Sequence, residues 1–202
     1  MALTKLGILI SGGGSNMKSI TAACEAGRVP AEVAVVISNN PDAPGIGWAA
    51  ERGMATAILP HREYPSREAH DRAVVEQLRE SGVEWVCLAG YMRLLSAHFV
   101  GAYRDRILNI HPALLPSFPG LHGQRQAWEY GARVAGCTVH FVDLELDHGP
   151  IVVQRVVQVL ADDDEHRLAE RILEQEHIAY PEALRLLLSE PWRFDGRRVV
   201  IG

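Results

Sequence analysis

Short, nearly continuous apolar runs alternate along the chain with segments of helical period. KLGILI (5–10), EVAVVIS (32–38), ATAILP (55–60), EWVCLAG (84–90) and RILNIH (106–111) read as strands, and the segments 16–26, 44–52, 66–81 and 96–103 read as helices. Such alternation implies right-handed crossovers and a parallel sheet covered on both faces, because strands buried on both sides lose the polar half of their period. After residue 120 the rhythm changes. QRQAWEYG reads as a helix, AGCTVHFV and GPIVVQRVVQVL as strands, and 164–187 as one long helix. The loop DLELDHGP between the late strands is too brief for a helical crossover, so those strands are expected to pair antiparallel. The ending EPWRFDGRRVVIG is expected to add a hairpin or edge strand. The expected fold class is α/β, Rossmann-like and doubly wound, a mostly parallel sheet with antiparallel late strands. With no repeat, low-complexity linker or composition shift, residues 1–202 read as a single domain.

Composition narrows the function classes. A chain of 202 residues buries about 70% of its unfolded surface, and 48% hydrophobic with 22% charged residues is ordinary for a soluble globular protein. A formal charge of −5 argues against a general nucleic-acid surface, which needs clustered positive charge to displace phosphate counterions. Any anionic ligand must be held locally. Cys24, Cys87 and Cys137 are widely spaced and odd in number, which fits free thiols in a reducing compartment. No stretch approaches the roughly 18 apolar residues of a membrane span, so a cytoplasmic protein without membrane partners is expected.

Candidate chemistry begins at ILISGGGSNMKS, where a glycine-rich turn joins the first strand to the first helix. Backbone N–H groups and the positive helix end attract a phosphate there. A dinucleotide fingerprint over Gly12 and Gly14 fails because Met17 stands where the third glycine belongs, and a Walker A reading through Lys18 and Ser19 fails at the same position. Ser15 and Asn16 are expected to cap the helix or donate to a phosphate oxygen. A single phosphomonoester is therefore favoured over a dinucleotide.

Asn109 and His111 are two residues apart, so on a strand both side chains project to one side. At the carboxyl end of a central strand of an α/β sheet that side faces the ligand crevice. Pro112 then ends ladder pairing, since proline lacks the backbone donor. Asp147, in LELDHGP, could orient or charge the imidazole. His122, His140, His148 and His177 are plausible pocket residues, but no HExxH or paired CxxC spacing appears, and a metal site is not expected. No GxSxG elbow is present, and Cys137 lacks the polar setting of a nucleophile. LAGYMRLLS (88–96) suggests a flat apolar slot beside a polar backbone edge, suited to an aromatic heterocycle.

Taken together, SGGGSN, LAGYMRLLS, LNIHPALLPSFPGLHG, HFVDLELDHGPIVVQ and QEHIAYP resemble the phosphoribosylglycinamide formyltransferase family, the folate-dependent enzymes of purine biosynthesis. The resemblance spans nearly the whole chain and implies the formyltransferase fold. It further implies transfer of a formyl group from 10-formyltetrahydrofolate to the amine of glycinamide ribonucleotide, without metal, by a monomer or homodimer acting on small molecules. The family pattern carries the catalytic set onto Asn109, His111 and Asp147. It assigns the nucleotide phosphate to Gly14, Ser15 and Asn16 and the ribose or glycinamide part to Glu176. Folate falls to Met92, Arg93, Leu94, Leu95, Asn109 and the loop Asp143, Leu144, Glu145, Leu146 and Asp147, with Arg67 near its glutamate tail. Three positions depart from the pattern: Ala113 where Ser is usual, Gln124 where His is common, and Gly13 where Asn is common.

The implied chemistry is coherent. An amine attacking a formamide builds a tetrahedral centre whose oxygen turns negative, and an Asn N–H with a protonated His would stabilise it. Asp147, through a water, would carry the proton from the attacking nitrogen to N10. Methionyl-tRNA formyltransferase and formyltetrahydrofolate hydrolase share the NIHPALLP core, but each carries a further domain that a chain of this length and charge is not expected to contain. A non-catalytic phosphate-binding module is the rival of a different class.

Overall fold

The computed structural model describes residues 2–202. The chain divides into two compact units, with the division after Leu108. The first unit runs through β1 (Thr4–Ile10), α1 (Ser15–Glu25), β2 (Ala31–Ser38), α2 (Pro44–Glu51) and β3 (Thr56–Ile58). A short 3-10 turn at His61–Glu63 follows, then α3 (Arg67–Glu80), β4 (Trp85–Leu88) and α4 (Ala97–Ala102). Its strands lie in the order β3-β2-β1-β4, and every pair is parallel. β5 (Ile107–His111) straddles the division.

The core of this unit follows from its apolar runs. Leu6, Ile8, Leu9 and Ile10 of β1 are fully buried, as are Val86 and Cys87 of β4. Each large aliphatic side chain so buried contributes about 1.5–3 kcal/mol relative to exposure. The predicted strand at 55–60 survives only as Thr56–Ile58. It is an edge strand paired on one side to β2, and Pro60, which lacks an N–H, leads directly into the 3-10 turn.

The second unit carries α5 (Gly123–Tyr130), β6 (Val134–Phe141), β7 (Ile151–Gln158), α6 (Glu165–Ser189), β8 (Trp192–Asp195) and β9 (Arg198–Ile201). β6 and β7 pair antiparallel along their length, as the short loop between them requires. The order continues β6-β7-β9-β8, with β9 touching β7 in parallel at Ile151 and Arg198, and β8 and β9 forming an antiparallel hairpin. The expected architecture of parallel strands followed by antiparallel late strands is what the chain adopts. α6 is capped by the Asp164 carboxylate, which accepts from the Arg167 N–H at 2.8 Å. Among the described residues, no helix is long and apolar enough to cross a membrane.

Candidate active site

β5 delivers Asn109, half-buried, and His111, 4% exposed, to one side of the strand. The loop between β6 and β7 delivers Asp147 to the same place. His111 Nδ1 lies 3.4 Å from Asp147 Oδ2, with side chains only 5% and 8% exposed. The other ring nitrogen, Nε2, donates to the Phe118 carbonyl at 2.8 Å. Both imidazole nitrogens thus face acceptors, so a protonated ring is satisfied on both sides. Asp147 is in turn fixed by the Gly120 N–H, which donates to Oδ2 at 2.7 Å.

A fourth group completes the cluster. His140, on β6 and 2% exposed, points its Nδ1 at the Phe141 carbonyl at 2.7 Å and its Nε2 at Asn109 Nδ2 at 3.2 Å. Burial holds its pKa below the ordinary imidazole value, against the opposing pull of the Phe141 carbonyl and Asp147. The neutral tautomer that donates from Nδ1 leaves a lone pair on Nε2, and that lone pair accepts from Asn109. The amide of Asn109 is oriented as a consequence. His140 Nε2 also lies 3.8 Å from Asp147 Oδ1, so the cluster closes on itself.

The loop after β5 is held from below. Thr138 Oγ1 donates to the Ala113 carbonyl at 2.7 Å and accepts from the Leu115 N–H at 3.1 Å, while Gln154 Nε2 donates to the Leu115 carbonyl at 2.9 Å. Gly123, at the start of α5, sits so close that a Cβ there would lie 3.1 Å from His111 Nε2. Gln124 beside it encloses its Oε1 without a hydrogen-bond partner. Cys137 is no competing nucleophile: burial, followed by the charge of Glu176, pushes its thiol up to about 12.

In the first unit the glycine turn ends at Gly14, which takes φ +66° and serves as the N-cap of α1. This corrects the capping expectation, since neither Ser15 nor Asn16 caps the helix and both lie inside its first turn. The left-handed backbone, which only glycine adopts at little cost, replaces the side-chain cap. First-turn N–H groups have no intrahelical acceptors, so such a helix end is able to receive an anion. α2 packs on the same turn through the Gly45 N–H, which donates to the Gly12 carbonyl at 3.1 Å. A Cβ on Gly45 would sit 3.0 Å from the Gly12 carbonyl oxygen and 2.6 Å from Ile10 Cδ1, so a side chain there would crowd the turn.

Met92 to Leu95 form no helix but an extended ledge fastened at both ends. The Met92 N–H donates to Ser11 Oγ at 2.8 Å, and the Ser96 N–H to Asp71 Oδ2 at 2.6 Å. Between these anchors Met92 and Leu94 project into solvent, 67% and 57% exposed. Asp71 is itself fully buried. Burial would raise its pKa, yet the His70 imidazole, 3.5 Å away, and the hydrogen bond from the Ser96 N–H outweigh it and hold the carboxyl below its usual range. Arg67 stands exposed at the start of α3. In the second unit Leu144 and Leu146 are exposed on the Asp147 loop, Asp143 accepts from the Glu145 N–H at 2.9 Å, and Glu176 is buried on α6.

Sequence reasoning reached His140 only as one of several pocket histidines. The signal was the period of β6, where Thr138 and His140 are polar residues two apart in an otherwise apolar buried strand. Ser11, Asp71 and Gly120 were missed, because their parts are played across 81, 25 and 27 residues of sequence.

The first unit thus carries a glycine turn at a helix N-terminus, and the second a clustered amide, imidazole and carboxylate, groups of the kind used in acid–base and group-transfer chemistry. Residues 4–184 match the formyl transferase family, and the chain belongs to it. It is 45% identical to phosphoribosylglycinamide formyltransferase of Escherichia coli over 190 residues, which covers 94% of this chain and 87% of that one. It is also 45% identical to the trifunctional purine biosynthetic protein adenosine-3 of Drosophila melanogaster over 92% of this chain, although it spans only 14% of that longer protein. The structure of glycinamide ribonucleotide transformylase 1 from Symbiobacterium toebii superposes with a TM-score of 0.96 at 50% identity, covering 99% of this chain and 94% of that one.

Proposed function

We propose that the chain transfers the formyl group of 10-formyltetrahydrofolate to the amine of glycinamide ribonucleotide, giving N-formylglycinamide ribonucleotide and tetrahydrofolate in purine biosynthesis. The observation that carries this reading is the meeting of Asn109, His111 and Asp147 in one cluster. Similarity to the Escherichia coli enzyme over nearly the full length of both chains supports the choice of substrates.

In this mechanism the amine nitrogen attacks the formyl carbon, and the C–O π electrons move onto oxygen. Collapse of the tetrahedral centre breaks the bond to N10 of the folate, the nucleophile sheds one proton and N10 gains one. Asn109, with its amide oriented by His140, donates Nδ2–H to the developing oxyanion, a contribution of about 2.7–4 kcal/mol for a fixed donor. His111 supplies the second, charged donor. Its Nε2–H must exchange the Phe118 carbonyl for the oxyanion, or act by charge alone. Asp147 keeps the ring oriented, and through a water at Oδ1 it relays the proton, a role worth roughly 10²- to 10⁴-fold.

Gly14, Ser15 and Asn16 are assigned the phosphate and Glu176 the ribose or glycinamide part. Met92 to Leu95 and the loop 143–147 are assigned the folate, with Arg67 toward its acidic tail. The test is steady-state formation of tetrahydrofolate on mixing both substrates, with glycinamide ribonucleotide compared against other primary amines. Turnover with the ribonucleotide far above the other amines is expected. Binding of either substrate without any tetrahydrofolate would sink the reading and leave a binding module.

A further inference from the structure

We propose that Arg197, at the tip of the C-terminal hairpin, is a positioning residue for Asp147 and acts through His148. The inference deepens the proposed function. It concerns a segment that lies beyond the 4–184 span of the family match.

The hairpin is a rigid mount. Asp195 pairs with Arg198 across a two-residue turn, and Gly196 takes φ +59°, so Arg197 is set at a fixed bend rather than on a free end. Its base is attached to both strands that bound the Asp147 loop. Trp192 and Phe194 pack their rings on Phe141, the last residue of β6, at 5.2 and 5.0 Å between centroids. Arg198 pairs with Ile151, the first residue of β7.

From that mount the guanidinium reaches into the loop. Arg197 Nη1 donates to His148 Nε2 at 2.7 Å, and Nη2 donates to the His148 carbonyl. Because Nε2 accepts, the ring proton sits on Nδ1, which donates to Asp143 Oδ2 at 2.8 Å. Asp143 Oδ1 then accepts the Glu145 N–H. A continuous chain of hydrogen bonds therefore runs from the hairpin tip to both ends of the loop, and Glu145 Oε2, 3.9 Å from His148 Nε2, adds a nearby negative charge.

Asp147 needs such support. Its backbone has φ +49°, a left-handed conformation that residues with a side chain seldom adopt and that the surrounding contacts must hold. The residue before His148 is held in that state while the next carbonyl is gripped by Arg197. If the grip is lost, the loop relaxes toward ordinary backbone and carries the carboxylate away from His111.

The experiment compares the full chain with Arg197→Ala and Arg197→Lys. Three readouts are taken: kcat, KM for each substrate, and the ¹⁵N signals of the His111 ring, which report its carboxylate contact without turnover. Arg197→Ala is expected to lower kcat by up to about 100-fold, the scale of an ångström-level misplacement. It should also raise KM for the folate, leave KM for the nucleotide and Tm nearly unchanged, and shift the His111 signals. Lysine, with one donor for the carbonyl, is expected to recover part of the loss. Unchanged His111 signals in Arg197→Ala overturn the proposal. So does equal damage from both substitutions together with a large fall in Tm, which marks a purely structural role. A wild-type chain that forms no tetrahydrofolate overturns the proposed function instead, and the ring signals still decide this one.

Discussion

Asn109 and His140, 31 residues apart, share a 3.2 Å hydrogen bond from the amide Nδ2 to the imidazole Nε2. The bond settles two ambiguities at once. An imidazole that donates from Nδ1 to Phe141 must accept at Nε2, and an amide that donates to Nε2 must turn its Nδ2 group that way. In His140→Ala the amide is free to turn and kcat is expected to fall about 10- to 100-fold, with nucleotide Kd unchanged by calorimetry. His140→Gln, which offers an acceptor carbonyl, is expected to recover part of it. Wild-type turnover in the alanine variant would remove His140 from the argument.

The same histidine links stability to pH. Burial depresses the folded pKa of His140 below 6.5, and burial does the same to His177. In the window below about 6.5 the unfolded chain binds protons that the folded chain refuses, so stability falls as pH drops through it and is level above. Tm is expected to decline from about pH 7 to about pH 5.5, with a shallower slope in His140→Asn. An equal or steeper slope in that variant contradicts the assignment.

Each of the three proposed catalytic side chains has its own expected signature. Asn109→Ala and His111→Ala remove a donor to the oxyanion and should lower kcat by about 10²- to 10³-fold. Asp147→Asn keeps the shape but loses the charge, with a loss of about 10²- to 10⁴-fold. All three should retain nucleotide Kd. Near-normal turnover in any one of them withdraws its role.

Two adjacent glycines separate conformation from space. A Cβ on Gly13 meets nothing within 4 Å, whereas Gly14 has φ +66° and its Cβ would sit 2.9 Å from Met17 Cε. Gly14→Ala is expected to destabilise the fold by about 1–2 kcal/mol and weaken binding of the nucleotide, while Gly13→Ala does neither. Denaturant unfolding and calorimetry on the pair check this. Equal behaviour of the two variants would mean that the turn is not shaped as described.

Apolar runs carried the architecture because burial on both faces leaves a mark in composition alone. β4 sits within the run read from the sequence, β1 exceeds its run only by Thr4, and the brevity of the loop before β7 dictated its antiparallel pairing. Local chemistry was legible where spacing is local, as for Asn109 and His111. It failed where a contact spans the fold. Nothing near Asp71 in sequence announces that its carboxylate will grip Ser96, nor does Ser11 announce Met92. At α1 a polar pair after three glycines looked like a cap, but the backbone of Gly14 did that work instead.

Because the His111 and Asp147 side chains are only 5% and 8% exposed, mobile counterions have little access to the contact between them. The glycine turn is different, for Gly13 is exposed and Ser15 half-buried. Under the proposed assignment, added potassium chloride is expected to compete with a phosphate at the turn while sparing the proposed catalytic cluster. Ionic strength becomes a means of loosening substrate capture while leaving the saturated rate almost untouched.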